Sequence, residues 1–240
     1  MWSCDSSKSP GPDGFNLGFI KFCWDLIKAD IMVAVNDFES FGKWPRGSNA
    51  SFLCLIPKCE NPLQLGEFRP ISLVGCLYKI ISKALSLRLK KVIGKVIDVR
   101  QSAFLQGRGL LDGVLVANEV LDEIKRRKKS CVFFKADFEK AYDSVRWEFI
   151  YYMLERLGFC GKWIRWIKGC LESASVSVLV NGSPSKEFFP KKGLRQGDPL
   201  APFLFLIAAK GLADVSRMAT ERKMINSLEI GREKVKVNML

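Results

Sequence analysis

Along this chain, apolar residues recur every three or four positions in several long stretches and run together or alternate in a few short ones. From Leu17 to Phe41, the residues Ile20, Trp24, Ile27, Ile31, Ala34, Val35 and Phe38 share one face, which predicts a single amphipathic helix ended by Trp44 and Pro45. Phe52 to Ile56 is an apolar run closed by Pro57, the pattern of a buried strand, with Lys58 just past its end. Leu65 to Ser72 reads as a second extended segment, because Pro70 biases Arg69 away from helix. Cys76 to Val96 predicts a long helix. Leu77, Ile80, Ile81, Ala84, Leu85 and Val92 form its apolar face, and Lys79, Lys83, Lys90 and Lys91 form a basic one. A glycine-broken loop from Gln101 to Gly109 leads into another helix, with Leu111, Val114, Leu115, Asn118, Leu121 and Ile124 on one side.

The second half opens on a short run of β-prone residues, Val132, Phe133 and Phe134, which suits a buried strand ending at Asp137. Ser144 offers an N-cap to a helix carrying Trp147, Ile150, Tyr151, Leu154 and Leu157, which Gly158 stops. Trp163, Ile164, Ile167 and Leu171 predict a short helix. Val176 to Val180 alternates like a strand, and Asn181-Gly182 signals a turn back towards Lys186 to Phe189. After the cation-rich turn from Lys191 to Gly197, a helix begins with Pro199 near its first turn. Leu228 to Leu240 reads as a final hairpin.

Composition narrows the chemistry. A chain of 240 residues, 48% of them hydrophobic, can bury a real core. Its formal charge of +13 makes polyanions the default partner, since each Lys or Arg beside a phosphate releases counterions. There is no histidine, which removes His-based general bases, Ser-His triads and zinc sites with His ligands. The eight cysteines contain no C-x-x-C pair and several sit in apolar runs, as small core residues do in a reducing compartment. With no visible signal peptide and no apolar run long enough to cross a bilayer, these features predict a soluble intracellular protein, nuclear or cytoplasmic, not secreted and not membrane-bound.

Several positions could carry chemistry. Asp137, at the carboxyl end of a core strand, is either a turn residue or an acid placed where α/β architectures put their sites. Lys58 and Arg69 sit at the margins of extended segments, either as surface cations or as a pair aimed at phosphate oxygens. Ser6 to Gly14 is turn chemistry that serves as a linker or a phosphate cradle. Lys125 to Lys129 is the densest charge run, and a solvated turn is its plainest reading. Gly197 lets backbone approach a ligand closely, and Gln196 brings both a donor and an acceptor.

Taken in order, six stretches resemble the reverse transcriptase domain of non-LTR (LINE-type) retrotransposons, especially the plant elements. They are Ser9 to Phe15 (SPGPDGF), Leu55 to Lys58 (LIPK), Phe68 to Leu73 (FRPISL), Gln101 to Gly109, Asp137 to Asp143, and Gly193 to Pro202 (GLRQGDPLAP). The resemblance implies an α+β fold: the fingers and partial palm of a right-hand polymerase, an antiparallel palm sheet packed on helices, and no thumb. Fingers would occupy residues 1–130 and palm residues 131–240. It implies nucleotidyl transfer from dNTP onto a DNA primer along an RNA template, with two Mg²⁺ ions about 4 Å apart clamping the attacking and leaving oxygens.

By the same resemblance, Asp137 is the catalytic and metal-binding acid, assisted by the Phe138 carbonyl, and Lys58 and Arg69 contact the incoming triphosphate. Tyr142 crowds the sugar 2′ position and so argues against an RNA-dependent RNA polymerase. Gln196 and Gly197 pack against the nucleotide, and Lys79, Lys83 and Arg195 face nucleic acid. Asp143 is expected to be structural, and Glu139 has no clear role. The family's aromatic-x-Asp-Asp turn is expected to follow a stretch like Val235 to Leu240, so the two-metal site is expected to be incomplete and the chain alone inactive. The alternative is a non-enzymatic, basic RNA-binding relic of the same fold. Oligomeric state is open.

Overall fold

A computed structural model describes residues 2, 4–97, 101, 110–128, 130–132, 138, 140–230 and 235–237. The expected helix over 17–41 is two helices, α1 (Leu17–Phe22) and α2 (Trp24–Phe41), parted at Cys23, whose N–H closes α1 on the Phe19 and Lys21 carbonyls. Asn16 caps α1, its side-chain oxygen accepting the Phe19 N–H at 2.8 Å.

Two strands follow, β1 (Ala50–Pro57) and β2 (Phe68–Val74), antiparallel and joined through a 3₁₀ turn at Leu65–Glu67. A reciprocal capping pair of Gln64 and Glu67 stiffens that turn. Next come α3 (Cys76–Val96) and α4 (Leu110–Arg127). Lys125, Arg126 and Arg127 therefore finish a helix, where cations complement its carbonyl end, rather than forming a free turn. Helix α5 (Trp147–Arg156) starts from Arg146 with no side-chain cap, so Ser144 does not cap it.

After α6 (Gly161–Glu172) come β3 (Ser175–Val180) and the two-residue β4 (Ser183–Pro184), joined by an Asn181-Gly182 turn with positive φ at both residues. The expected return strand at 186–189 shrinks to β4 and a single bridge from Val176 to Phe188. Helix α7 (Ala201–Glu221) and the final hairpin of β5 (Leu228–Ile230) and β6 (Val235–Val237) end the described chain. The strand expected to lead into Asp137, the acid itself, Glu139, and the Ser102 to Gly109 part of the glycine-broken loop lie outside the described residues. Val132 is described and exposed, with no strand assigned to it.

The mixed α+β class stands, with seven α-helices among the described residues. The four-stranded sheet among the described residues runs β2-β1-β3-β4, with β1 antiparallel to β2 but parallel to β3, so it is mixed; the strand expected to carry Asp137 in an antiparallel palm sheet lies outside those residues. The long helical crossover between β1 and β3 makes the parallel pairing possible. The sheet also joins β1, on the fingers side of the boundary expected at residue 130, to β3, on the palm side.

The core lies among α3, α5, α6 and α7. Its stripe on α3 is Tyr78, Ile81, Leu85, Leu89 and Ile93, facing Ile150 and Leu154 of α5, Ile167 and Cys170 of α6, and Leu204 and Ile207 of α7. Leu77 and Ile80, read from the sequence as the buried face, are only half-buried at its edge, and Ala84 and Val92 face solvent. A smaller cluster of Leu17, Ile20 and Cys76 fastens α1 to the start of α3. All eight cysteines are free.

Candidate nucleotide-binding face

The β1–β2 hairpin positions the two cations. Lys58 follows β1; its backbone N–H donates to the Glu67 carbonyl at 2.8 Å and its Nζ donates to the Gly66 carbonyl at 2.8 Å. Arg69 stands on β2 opposite Ile56. Both side chains are exposed. Alternation along a strand makes such margins accessible while the ladder fixes their backbone.

Three residues further along β2, about 10 Å at the usual rise per residue, the free edge of the strand receives another segment. The Ser72 N–H donates to the Gln196 carbonyl at 2.8 Å. Gly197, with φ +103°, lies so close that an added Cβ would stand 3.0 Å from the Ser72 carbonyl oxygen. A side chain there meets backbone and a disfavoured φ at once, which is why this position takes glycine.

The same loop reaches the turn that follows Asp137. Gly193 donates its N–H to the Val145 carbonyl at 2.8 Å, and Leu194 donates to the Tyr142 carbonyl at 2.9 Å. The Trp147 indole N–H donates to the Gly193 carbonyl at 2.6 Å. A continuous path of backbone hydrogen bonds thus links the Tyr142 turn, the Gln196–Gly197 loop and the strand bearing Arg69. The Tyr142 ring packs edge-on against Phe205 of α7, centroids 5.4 Å apart, and burial raises its pKa. Phe138 meets the same Phe205 at 5.9 Å and is otherwise half open to solvent.

Arg195 departs from expectation. Rather than facing nucleic acid, its guanidinium is buried within the protein. It lies 4.1 Å from the centre of the Tyr78 ring, donates from Nη1 to Asn49 Oδ1 at 2.7 Å, and reaches Asp198 Oδ2 from Nη2 at 3.4 Å. Burial works against its charge, but Tyr78 and Asp198 beside it outweigh that and raise its pKa. Asp198 accepts the Tyr78 hydroxyl at Oδ2 and the Leu200 N–H at Oδ1, which secures the start of α7. Tyr78, wholly buried, has its pKa raised well above the ordinary phenol value, chiefly by desolvation.

Asn49, Tyr78 and Asp198 were not visible as site residues in the sequence. Their partners lie 120 and 146 positions away for the Tyr78–Asp198 and Arg195–Asn49 bonds, and no local pattern announces them.

The α3 cations divide as well. Lys79 donates from Nζ to the Ser9 carbonyl at 2.9 Å, and Lys83, one turn on, is half-buried on the same side. The Ser6 to Gly14 stretch is tied to the start of α3, where Asp13 Oδ2 accepts the Cys76 N–H at 2.5 Å, so a carboxylate already sits at the positive end of that helix.

Among the described residues, no three His, Cys, Asp or Glu side chains gather into a metal-sized group. Asp137 lies outside those residues; a carboxylate is the donor type that Mg²⁺ prefers. No helix among the described residues is long and apolar enough to cross a membrane.

The sequence itself matches a known family. Residues 56–226 match the model of the Reverse transcriptase (RNA-dependent DNA polymerase) family. The chain is 33% identical over 202 residues to the Transposon TX1 uncharacterized 149 kDa protein of Xenopus laevis, covering 84% of this chain and 15% of that protein. It is 30% identical over 199 residues to the Retrovirus-related Pol polyprotein from type-2 retrotransposable element R2DM of Drosophila melanogaster, covering 83% and 18%. It is also 24% identical over 204 residues to the RNA-directed DNA polymerase from mobile element jockey of Drosophila funebris, covering 83% and 22%. The chain spans less than a quarter of the length of these relatives. With most of its length inside the family match and with these non-LTR retrotransposon proteins as relatives, the chain belongs to the reverse transcriptase family of RNA-directed DNA polymerases.

Proposed function

We propose that this chain forms the nucleotide-binding face of a non-LTR retrotransposon reverse transcriptase, holding an incoming dNTP over an RNA template and a DNA primer. The observation that carries the reading is the backbone path from the Tyr142 turn through Gln196 to β2, which sets three motif stretches along one edge. In this reading Lys58 and Arg69 neutralise the triphosphate, Tyr142 stands against the sugar 2′ position, and Gln196 and Gly197 pack on the nucleotide. Lys79 and Lys83 line the nucleic-acid side.

Asp137 and the Phe138 carbonyl would hold Mg²⁺, which would supply charge neutralisation for phosphoryl transfer. Residues 1–130 would serve as fingers and 131–240 as palm, in the nucleus or the cytoplasm. An affinity to plant elements belongs to the same proposal.

Binding of dATP and of a primed RNA to the full chain tests the proposal. Arg69→Ala is expected to weaken dATP binding about tenfold, as loss of one charge-assisted hydrogen bond predicts. The logarithm of the RNA association constant should fall linearly with the logarithm of salt concentration. An unchanged dATP affinity in both Arg69→Ala and Lys58→Ala would overturn the assignment.

A further inference from the structure

The Gln196–Gly197 backbone is held from behind by side chains outside the contacts assigned above. Arg195 immediately precedes Gln196, and Asp198 immediately follows Gly197, so whatever fixes these two fixes the residues between them. Two distant side chains do so. Tyr78 of α3 turns its ring to the Arg195 guanidinium at 4.1 Å and its hydroxyl to Asp198 Oδ2. Asn49, just before β1, accepts Arg195 Nη1 at Oδ1 over 2.7 Å. Its Nδ2 donates to the Cys170 carbonyl at 2.9 Å and to Ser173 Oγ at 2.8 Å, so the amide can face only one way. Asn49 is 1% exposed, Tyr78 is fully buried, and every polar member of the group has a partner.

A buried ion pair is a poor way to gain stability, since apolar residues of similar volume often do at least as well. What a fully satisfied polar network adds is one orientation for its members. We propose that Asn49 and Tyr78 are positioning residues of the nucleotide site: by clamping Arg195 and Asp198 they set the Gln196 carbonyl on the Ser72 N–H and fix the Gln196–Gly197 face against β2. Asn49 stands outside the residues matched by the family, 56–226. The link to nucleotide rests on the reading of Gln196 and Gly197 given above; the clamp on the loop does not.

Amide hydrogen exchange in the full chain reads the clamp at Ser72, whose N–H is donated to Gln196. In Asn49→Ala and in Tyr78→Phe, exchange at Ser72 is expected to accelerate about tenfold or more while other amides of the β1–β2 hairpin keep their protection. In the same variants dATP binding, followed by tryptophan fluorescence with Mg²⁺ present, is expected to weaken. Tyr78→Phe deletes only a hydroxyl and carries the test should Asn49→Ala fail to fold. Unchanged Ser72 exchange in a folded variant, or protection lost evenly across the hairpin, would overturn the proposal. Failure of the unmodified chain to bind dATP would instead overturn the reading of the nucleotide-binding face, with the clamp still judged by the exchange result.

Discussion

Arg195 and Asp198 form a buried ion pair three residues apart in sequence, their side chains 9% and 4% exposed. Both charges depend on the partners around them, because neither can turn to water. Asp198→Ala leaves the guanidinium uncompensated and frees the Tyr78 hydroxyl and the Leu200 N–H. Loss of one member of a buried pair costs about 3–5 kcal/mol, and urea unfolding of the variant should show a fall of that size. Asp198→Asn, whose one carbonyl oxygen can still accept the Leu200 N–H but not the Tyr78 hydroxyl as well, should fall less.

Gly197→Ala should destabilise the chain by about 1–3 kcal/mol through its backbone conformation and its approach to the Ser72 carbonyl. Gly11 makes the complementary case. Its φ is unremarkable, but an added Cβ would run into the Val74 and Gly75 backbone, so the loop it belongs to can dock on the end of β2 only without a side chain there. Gly11→Ala should therefore lower the melting temperature, whereas Gly66→Ala, with open space around it, should leave it nearly unchanged.

Asp13 caps α3 from sixty-three positions away. Its replacement by alanine removes an acceptor at Cys76 and a negative charge at the helix start. A loss of about 1–2 kcal/mol is expected, the usual range for an N-cap. Asp13→Asn should recover most of it, as chemical denaturation of the two variants would reveal.

Alkaline pH should weaken the fold through two thiols. Burial pushes Cys170 up to about 12, and burial followed by the nearby Asp13 carboxylate pushes Cys76 up to about 11, both from an ordinary value of 9.0. The unfolded chain releases these protons first. The stabilisation is therefore complete below pH 9 and is lost as pH climbs through 11 and 12, at up to about 1.4 kcal/mol per pH unit for each thiol. Cys170→Ala should flatten the stability profile above pH 9, measured by denaturant midpoints across that range.

Elements governed by local pattern were legible in the sequence. The strand closed by Pro57, the helix from Cys76 to Val96 and the Asn181-Gly182 turn each follow from side-chain periodicity or turn chemistry within a few residues. What the sequence hid depends on contacts across the chain. A cation in a glycine-bearing loop looks like a phosphate ligand, and only the distant Tyr78 and Asn49 turn Arg195 inward. The core stripe of α3 runs through Tyr78 and Leu89 rather than through Ala84 and Val92, because the helix carries apolar residues around more than half its circumference and its neighbours choose among them. Gln196 and Gly197 were picked out by type, but the partner that receives them, Ser72, sits on a strand edge that periodicity cannot orient.

The parallel pairing of β1 with β3 sets an order on synthesis. While a ribosome makes this chain, residues 50–74 emerge before residues 175–180 and can close on each other as a hairpin, but the other side of β1 has no neighbour until that later stretch has left the exit tunnel. For that interval the nascent chain carries a bare strand border, the kind of surface that recruits stray strands. Closing a contact of such long sequence separation is slow, so chaperone supply and translation speed, more than the stability of the finished fold, should govern the yield of native protein.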